Sequence, residues 1–142
     1  MSDQKRPPVE WVVERGKIAE FARACLNESD AYARSDAVAS PTFPQTLAFW
    51  RARVNAPREE GRAGMDMRRV LHGEQEFEYV RPLRAGDALS AESYVKDEYE
   101  KAGKRGGSMR FVVTETVFKD ADGEVVAYSR GTTIVTSKAT TE

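Results

Sequence analysis

From Val70 to Thr136 the chain offers only strand and turn, and everything that reads as helix lies before it. Phe77 and Tyr79 alternate with Glu76 and Glu78, Leu89, Ala91, Ser93 and Val95 alternate in the next segment, and Met109 to Phe118 is a β-branched and aromatic run. Asp120-Ala121-Asp122-Gly123 is a hairpin signal, and Glu124 to Thr136 is a last strand rich in Val, Thr and Tyr. The scarcity of charge from Ser129 to Val135 suits a strand inside a sheet. Strands in succession with no helix between them pair antiparallel, so this order predicts an α+β layer architecture and excludes an alternating βαβ fold.

The first half supplies the helices. Trp11, Val12 and Val13 suit a short strand or an extended lead. Ile18, Phe21, Ala22, Cys25 and Leu26 then form one apolar helical stripe that Asn27 and Glu28 terminate. Cys25, on that stripe, is expected to be a buried thiol. Residues 28–43 are irregular and polar. Pro44 suits the first turn of a second helix, with Thr42 or Phe43 near its cap, which continues through Leu47, Ala48 and Trp50 and ends before Pro57. Residues 57–66 read as a charged loop.

At 142 residues the chain is sized for one domain. We expect residues 1–9 to be a flexible lead-in, 10–137 the domain and 138–142 a flexible tail. Lys and Arg (22) nearly cancel Asp and Glu (23), so no global basic field recommends nucleic acid as a partner. Cys25 is the only cysteine and His72 the only histidine, which excludes an intrachain disulfide, a cysteine zinc cage and a multi-histidine metal site. No metal or other cofactor is expected. No run reaches membrane-spanning length and no apolar signal core stands at the start, so the expected location is cytoplasmic, away from membranes.

Several segments stand in a telling order: Ser40-Pro41-Thr42-Phe43-Pro44, Leu71-His72-Gly73-Glu74-Gln75, Arg81-Pro82-Leu83-Arg84-Ala85-Gly86-Asp87, and the run from Tyr99 to Met109. The second reads as a polar turn leading into a strand. Together they resemble the MaoC-like hot-dog-fold dehydratases, in particular the subgroup with a fatty-acid-synthase-like N-terminal dehydratase domain, over roughly residues 10–136. The resemblance implies a curved antiparallel sheet wrapped around a long central helix. It also implies dimerisation edge to edge, and addition or removal of water across the 2,3 bond of acyl thioesters of coenzyme A or acyl carrier protein.

That chemistry needs a base to activate water and donors to hold the thioester oxygen as it gains charge. Catalytic members of the resembled family use an Asp and a His in a loop of the form Gly-Asp-x-Asn-Pro-x-His, with a glycine N–H at the start of the central helix. Here the loop falls on residues 27–33. Glu28 takes the place of the aspartate, Tyr32 or Ala33 that of the histidine, and Pro41, which has no N–H, falls at or beside the glycine. Thr42 is the substitute donor. Glu28 and His72 are the candidate catalytic residues, although His72 also suits a purely structural place in a turn or subunit contact. Tyr32, Thr42 and Phe43 are the candidate substrate contacts, with Lys104 and Arg105 as partners for coenzyme A phosphates or an acidic carrier.

The leading expectation is therefore a catalytically degenerate hydratase or dehydratase subunit, in a homodimer or paired with a catalytic hot-dog chain. A hot-dog thioesterase working through Glu28 or Asp30, and a non-enzymatic acyl-thioester binding protein, are the alternatives. Fold alone does not separate them.

Overall fold

The computed structural model describes residues 7–53, 65–103 and 107–137. Five strands form one antiparallel sheet in the order β1-β3-β4-β5-β2: β1 (Val9–Val12), β2 (Val70–Tyr79), β3 (Ala88–Ala102), β4 (Ser108–Lys119) and β5 (Val125–Thr136). Two helices, α1 (Arg15–Ala24) and α2 (Leu47–Arg53), precede β2. The α+β arrangement expected from the sequence is the one observed, with β5 inside the sheet as its low charge suggested. At the hairpin between β4 and β5, Gly123 takes φ 82°. There the Asp120 carboxylate accepts from the N–H groups of Asp122 (3.1 Å) and Glu124 (3.0 Å), a side-chain-closed turn that suits Asp and Gly at those places.

Period-two alternation gives the sheet two unlike faces. Leu89, Ala91, Phe118 and Ala127 join Trp11, Val13, Ile18, Phe43 and Leu47 in one core between sheet and helices. Each large side chain so buried contributes about 1.5–3 kcal/mol. Trp11 stacks on Phe43 at 5.6 Å between centroids, and Phe21 meets Phe43 edge-on at 5.8 Å. Bulges between Val95 and Asp97 and between His72 and Glu74 interrupt the ladders, which bends strands and increases their twist. Val95, inward by simple alternation, is 44% exposed beside its bulge.

On the other face the register aligns Tyr94, Glu115, Arg130 and Glu76 in one row across four strands. Glu115, only 3% exposed, accepts from Tyr94, from Arg130 and from Lys96 Nζ at 2.6 Å. Burial works to raise its pKa, but the bonds donated by Lys96, Tyr94 and Arg130 outweigh it and hold the carboxyl at about 2. Arg130 also pairs with Glu76 and with Glu78, the latter at 2.8 Å.

The first helix ends earlier than its apolar stripe suggests. Leu26 N–H donates to Arg23 O and Asn27 N–H to Ala22 O, both at 2.9 Å, the paired bonds of a Schellman stop. Cys25 is the cap residue and is exposed, which corrects the expected buried thiol: the last stripe positions lie beyond the final turn. Leu26 sits at φ 58° and is 91% exposed, in a conformation that favours glycine. Leu26→Gly is therefore expected to stabilise the chain by about 0.5–1 kcal/mol, measured as a rise in the urea midpoint at unchanged slope.

Candidate functional site

The second helix begins with a tight 3₁₀ turn, Phe43–Thr46, that runs directly into α2. Pro44 lies inside this turn, where its missing N–H is harmless. Its start is pinned to the sheet by Tyr79 at the end of β2, whose hydroxyl donates to Pro41 O at 2.6 Å. Burial raises the Tyr79 pKa to about 12, so it remains a donor through the physiological range. Pro41 and Pro44 carry no N–H, Phe43 N–H donates to Ser40 O at 3.0 Å, and Gln45 N–H donates to Thr42 O at 3.1 Å. Thr42, exposed in this segment, donates no backbone hydrogen bond among the described residues.

Behind the helix start lies a cavity of about 220 Å³ between Pro44, Gln45, Leu47 and Ala48 on one side and the sheet on the other. Its sheet wall is polar: His72 and Gln75 of β2, Thr114 and Thr116 of β4, and Ser129, Gly131 and Thr133 of β5, with Phe118 at one end. Cross-strand register builds it, since Thr116 opposes Ser129, Gly131 opposes both Thr114 and Gln75, and Thr133 opposes His72. A second, larger hollow of about 630 Å³ opens between β1, α1 and α2 and is lined by Trp11, Val12, Phe21, Phe49 and Trp50. Its rim holds Glu10, Glu14 and Glu20, and Lys17, the cation among its described lining residues, is paired to Glu20 at 2.6 Å. That balance disfavours the phosphate end of coenzyme A there.

Of the predicted site residues that the structure describes, only His72 lines either cavity. Glu28 is exposed in the turn after α1 and lines neither cavity, nor does Asp30. His72 lines the inner cavity from the sheet. It stands within a strand at a bulge, not in the polar turn the sequence suggested, because the ladder with β5 already begins at Val70. No hydrogen bond among the described residues joins Glu28 to His72. Tyr32 is half-buried against the core, Thr42 is exposed, and Phe43 is completely buried as a central core ring. Lys104 and Arg105 lie outside the described residues. Lys101, their neighbour, lies over the rings of Tyr99 (5.0 Å) and Phe111 (5.3 Å).

Sequence reasoning missed Gln75, Thr116 and Ser129 as wall residues and Tyr79 as the clamp. The available signal was the run of small polar residues at alternate positions in β4 and β5, on the side that alternation assigns to the core. Among the described residues, no group of three or more His, Cys, Asp or Glu is placed to hold a metal ion, and no helix is long and apolar enough to cross a membrane.

A five-stranded antiparallel sheet in this order, with a helix seated on one face and a cavity at the helix start, defines a hot-dog fold. Residues 4–129 match the FAS1-like, dehydratase domain region. A UPF0336 protein of Saccharopolyspora erythraea is 32% identical over 142 residues, spanning 94% of this chain and 86% of that protein. One from Streptomyces coelicolor is 36% identical over 106 residues, spanning 68% of this chain and 69% of its own. Among solved structures, the C-terminally truncated HadBC (3R-hydroxyacyl-ACP dehydratase) complex of Mycobacterium tuberculosis superposes with a TM-score of 0.70 at 25% identity, covering 92% of this chain and 93% of that one. R-hydratase PhaJ1 of Pseudomonas aeruginosa shares the fold, with a TM-score of 0.62 at 11% identity over 100% of this chain and 90% of its own. The chain belongs to the MaoC-like hot-dog dehydratases, in the FAS1-like dehydratase group.

Proposed function

We propose that this chain is the acyl-thioester-binding, catalytically degenerate subunit of a hydro-lyase that acts on 3-hydroxyacyl or enoyl thioesters, paired with a hot-dog chain that supplies an intact Asp/His pair. The observation that carries this reading is that Glu28 is exposed after α1 and lines neither cavity, whereas the single imidazole, His72 on β2, lines the cavity at the helix start. A carboxylate with no hydrogen bond to an imidazole, in a chain whose helix start carries prolines at positions 41 and 44, is poorly equipped to activate water and hold an enolate oxygen together. The similarity to HadBC, described as a complex, favours a pairing with a second hot-dog chain.

The test follows the enoyl absorbance of crotonyl-CoA with the purified chain alone, alongside calorimetric titration of acyl-CoA. Binding without turnover is the expected result. Turnover that Glu28→Gln or His72→Ala abolishes would mean that this chain carries a complete site. Release of free coenzyme A from butanoyl-CoA would replace the reading with a thioesterase.

A further inference from the structure

We propose that the inner cavity is a specificity pocket for a hydroxyl-bearing segment of the acyl group, so that this subunit selects oxygenated acyl chains over plain alkyl ones. The inference rests on the acyl-thioester reading and deepens it. Gln75 is its centre. The Gln75 amide donates from Nε2 to Ser129 Oγ at 2.8 Å and to the backbone carbonyl of Arg130 at 3.1 Å. A carbonyl oxygen can only accept, so the second bond fixes which end of the amide is nitrogen and leaves Oε1 as an acceptor. Gly131 makes room for it: a Cβ there would stand 3.2 Å from Gln75 Oε1.

Around this acceptor the wall carries Thr114, Thr116, Ser129 and Thr133, with His72 at the edge. Ser93 and Thr116, cross-strand neighbours, bond each other through their hydroxyls at 2.7 Å, which fixes the Thr116 side chain. An aliphatic chain lying here would strip water from Gln75 Oε1 and the Thr114 hydroxyl and return no hydrogen bond, a loss of about 1–3 kcal/mol for each buried polar group left unmatched. A ligand hydroxyl can donate to Gln75 Oε1 and accept from a threonine or His72. At about 220 Å³ the cavity is smaller than the roughly 300 Å³ at which pockets begin to enclose whole drug-sized ligands, so it receives a short segment and not an entire chain. Sites built to bond a hydroxyl reject the analogue that lacks it far more strongly than apolar pockets reject an added methylene.

The experiment is calorimetric titration of the chain with hexanoyl-CoA and with its 4-, 5- and 6-hydroxy derivatives, repeated on Gln75→Leu and on Thr114→Val. The second variant exchanges a hydroxyl for a methyl at nearly constant shape. The expected result is that at least one hydroxy isomer binds tenfold or more tightly than hexanoyl-CoA, and that this ratio falls toward one in both variants. If hexanoyl-CoA binds as tightly as every isomer, the pocket assignment is wrong while the acyl-thioester reading stands. A preference that survives both substitutions overturns it too, because the hydroxyl is then read elsewhere. If no thioester binds, both readings fall together.

Discussion

Phe43→Ala is expected to lower stability by about 4 kcal/mol, the range for deleting a buried phenyl ring, in urea denaturation followed by far-UV circular dichroism. The ring has no exposed surface, stacks on Trp11 and receives the edge of Phe21. It therefore loses its dispersion contacts on every side and leaves a cavity that Trp11 and Leu47 cannot collapse into without moving backbone. Phe43→Leu, which keeps most of the volume, is expected to retain the fold at a smaller loss. The outcome also decides the role the sequence suggested for this residue. A ring that touched substrate would, on truncation, weaken acyl-CoA binding at nearly unchanged stability.

Arg130→Ala is expected to lower stability by about 3 kcal/mol, because it leaves the buried Glu115 carboxylate short of one of its three donors. Arg110→Ala breaks a pair with Glu98 whose side chains are 42% and 32% exposed, and there the loss should stay below about 1 kcal/mol. The same network sets an acid dependence. With its folded pKa near 2 against an ordinary 4.5, Glu115 binds fewer protons folded than unfolded. Its contribution is therefore complete above about pH 4.5 and is lost as pH falls toward 2. Urea midpoints measured from pH 6 to pH 2.5 should fall less steeply in Glu115→Gln than in the parent chain. In Arg130→Ala, with one donor gone and the folded pKa closer to its ordinary value, the fall should be smaller and should end at higher pH.

Much of the fold was written in local patterns. Alternation in the second half, Asp120 to Gly123 as a hairpin, Pro44 inside the first turn of a helix and Arg81 to Asp87 as a tight turn (Arg81 bonds Asp87 at 2.7 Å) are all properties of neighbours along the chain. What escaped depends on partners far away in sequence. Nothing within Leu71 to Gln75 shows that β5 captures the segment from Val70 onward, so His72 reads as a turn residue and not as a strand residue at a bulge. Cys25 and Leu26 continue an apolar period that the Schellman bonds cut short. The candidate site was legible least of all. Gln75, Thr116 and Ser129 meet only through the register of three strands, and the same register brings Glu115 and Arg130 together.

The strand order also governs how the chain can fold in time. The β3-β4-β5 meander joins neighbours in sequence and can assemble without waiting for the rest. Both edge strands must find partners much farther along, Val9 at Ala91 and Val70 at Val135. Closing such long loops costs entropy before any pairing repays it, and chains rich in distant contacts fold slowly for that reason. The helix start that shapes the cavity is tied to the end of β2 through Tyr79 and Pro41, so the candidate site is expected to be completed late in folding, on a meander already in place.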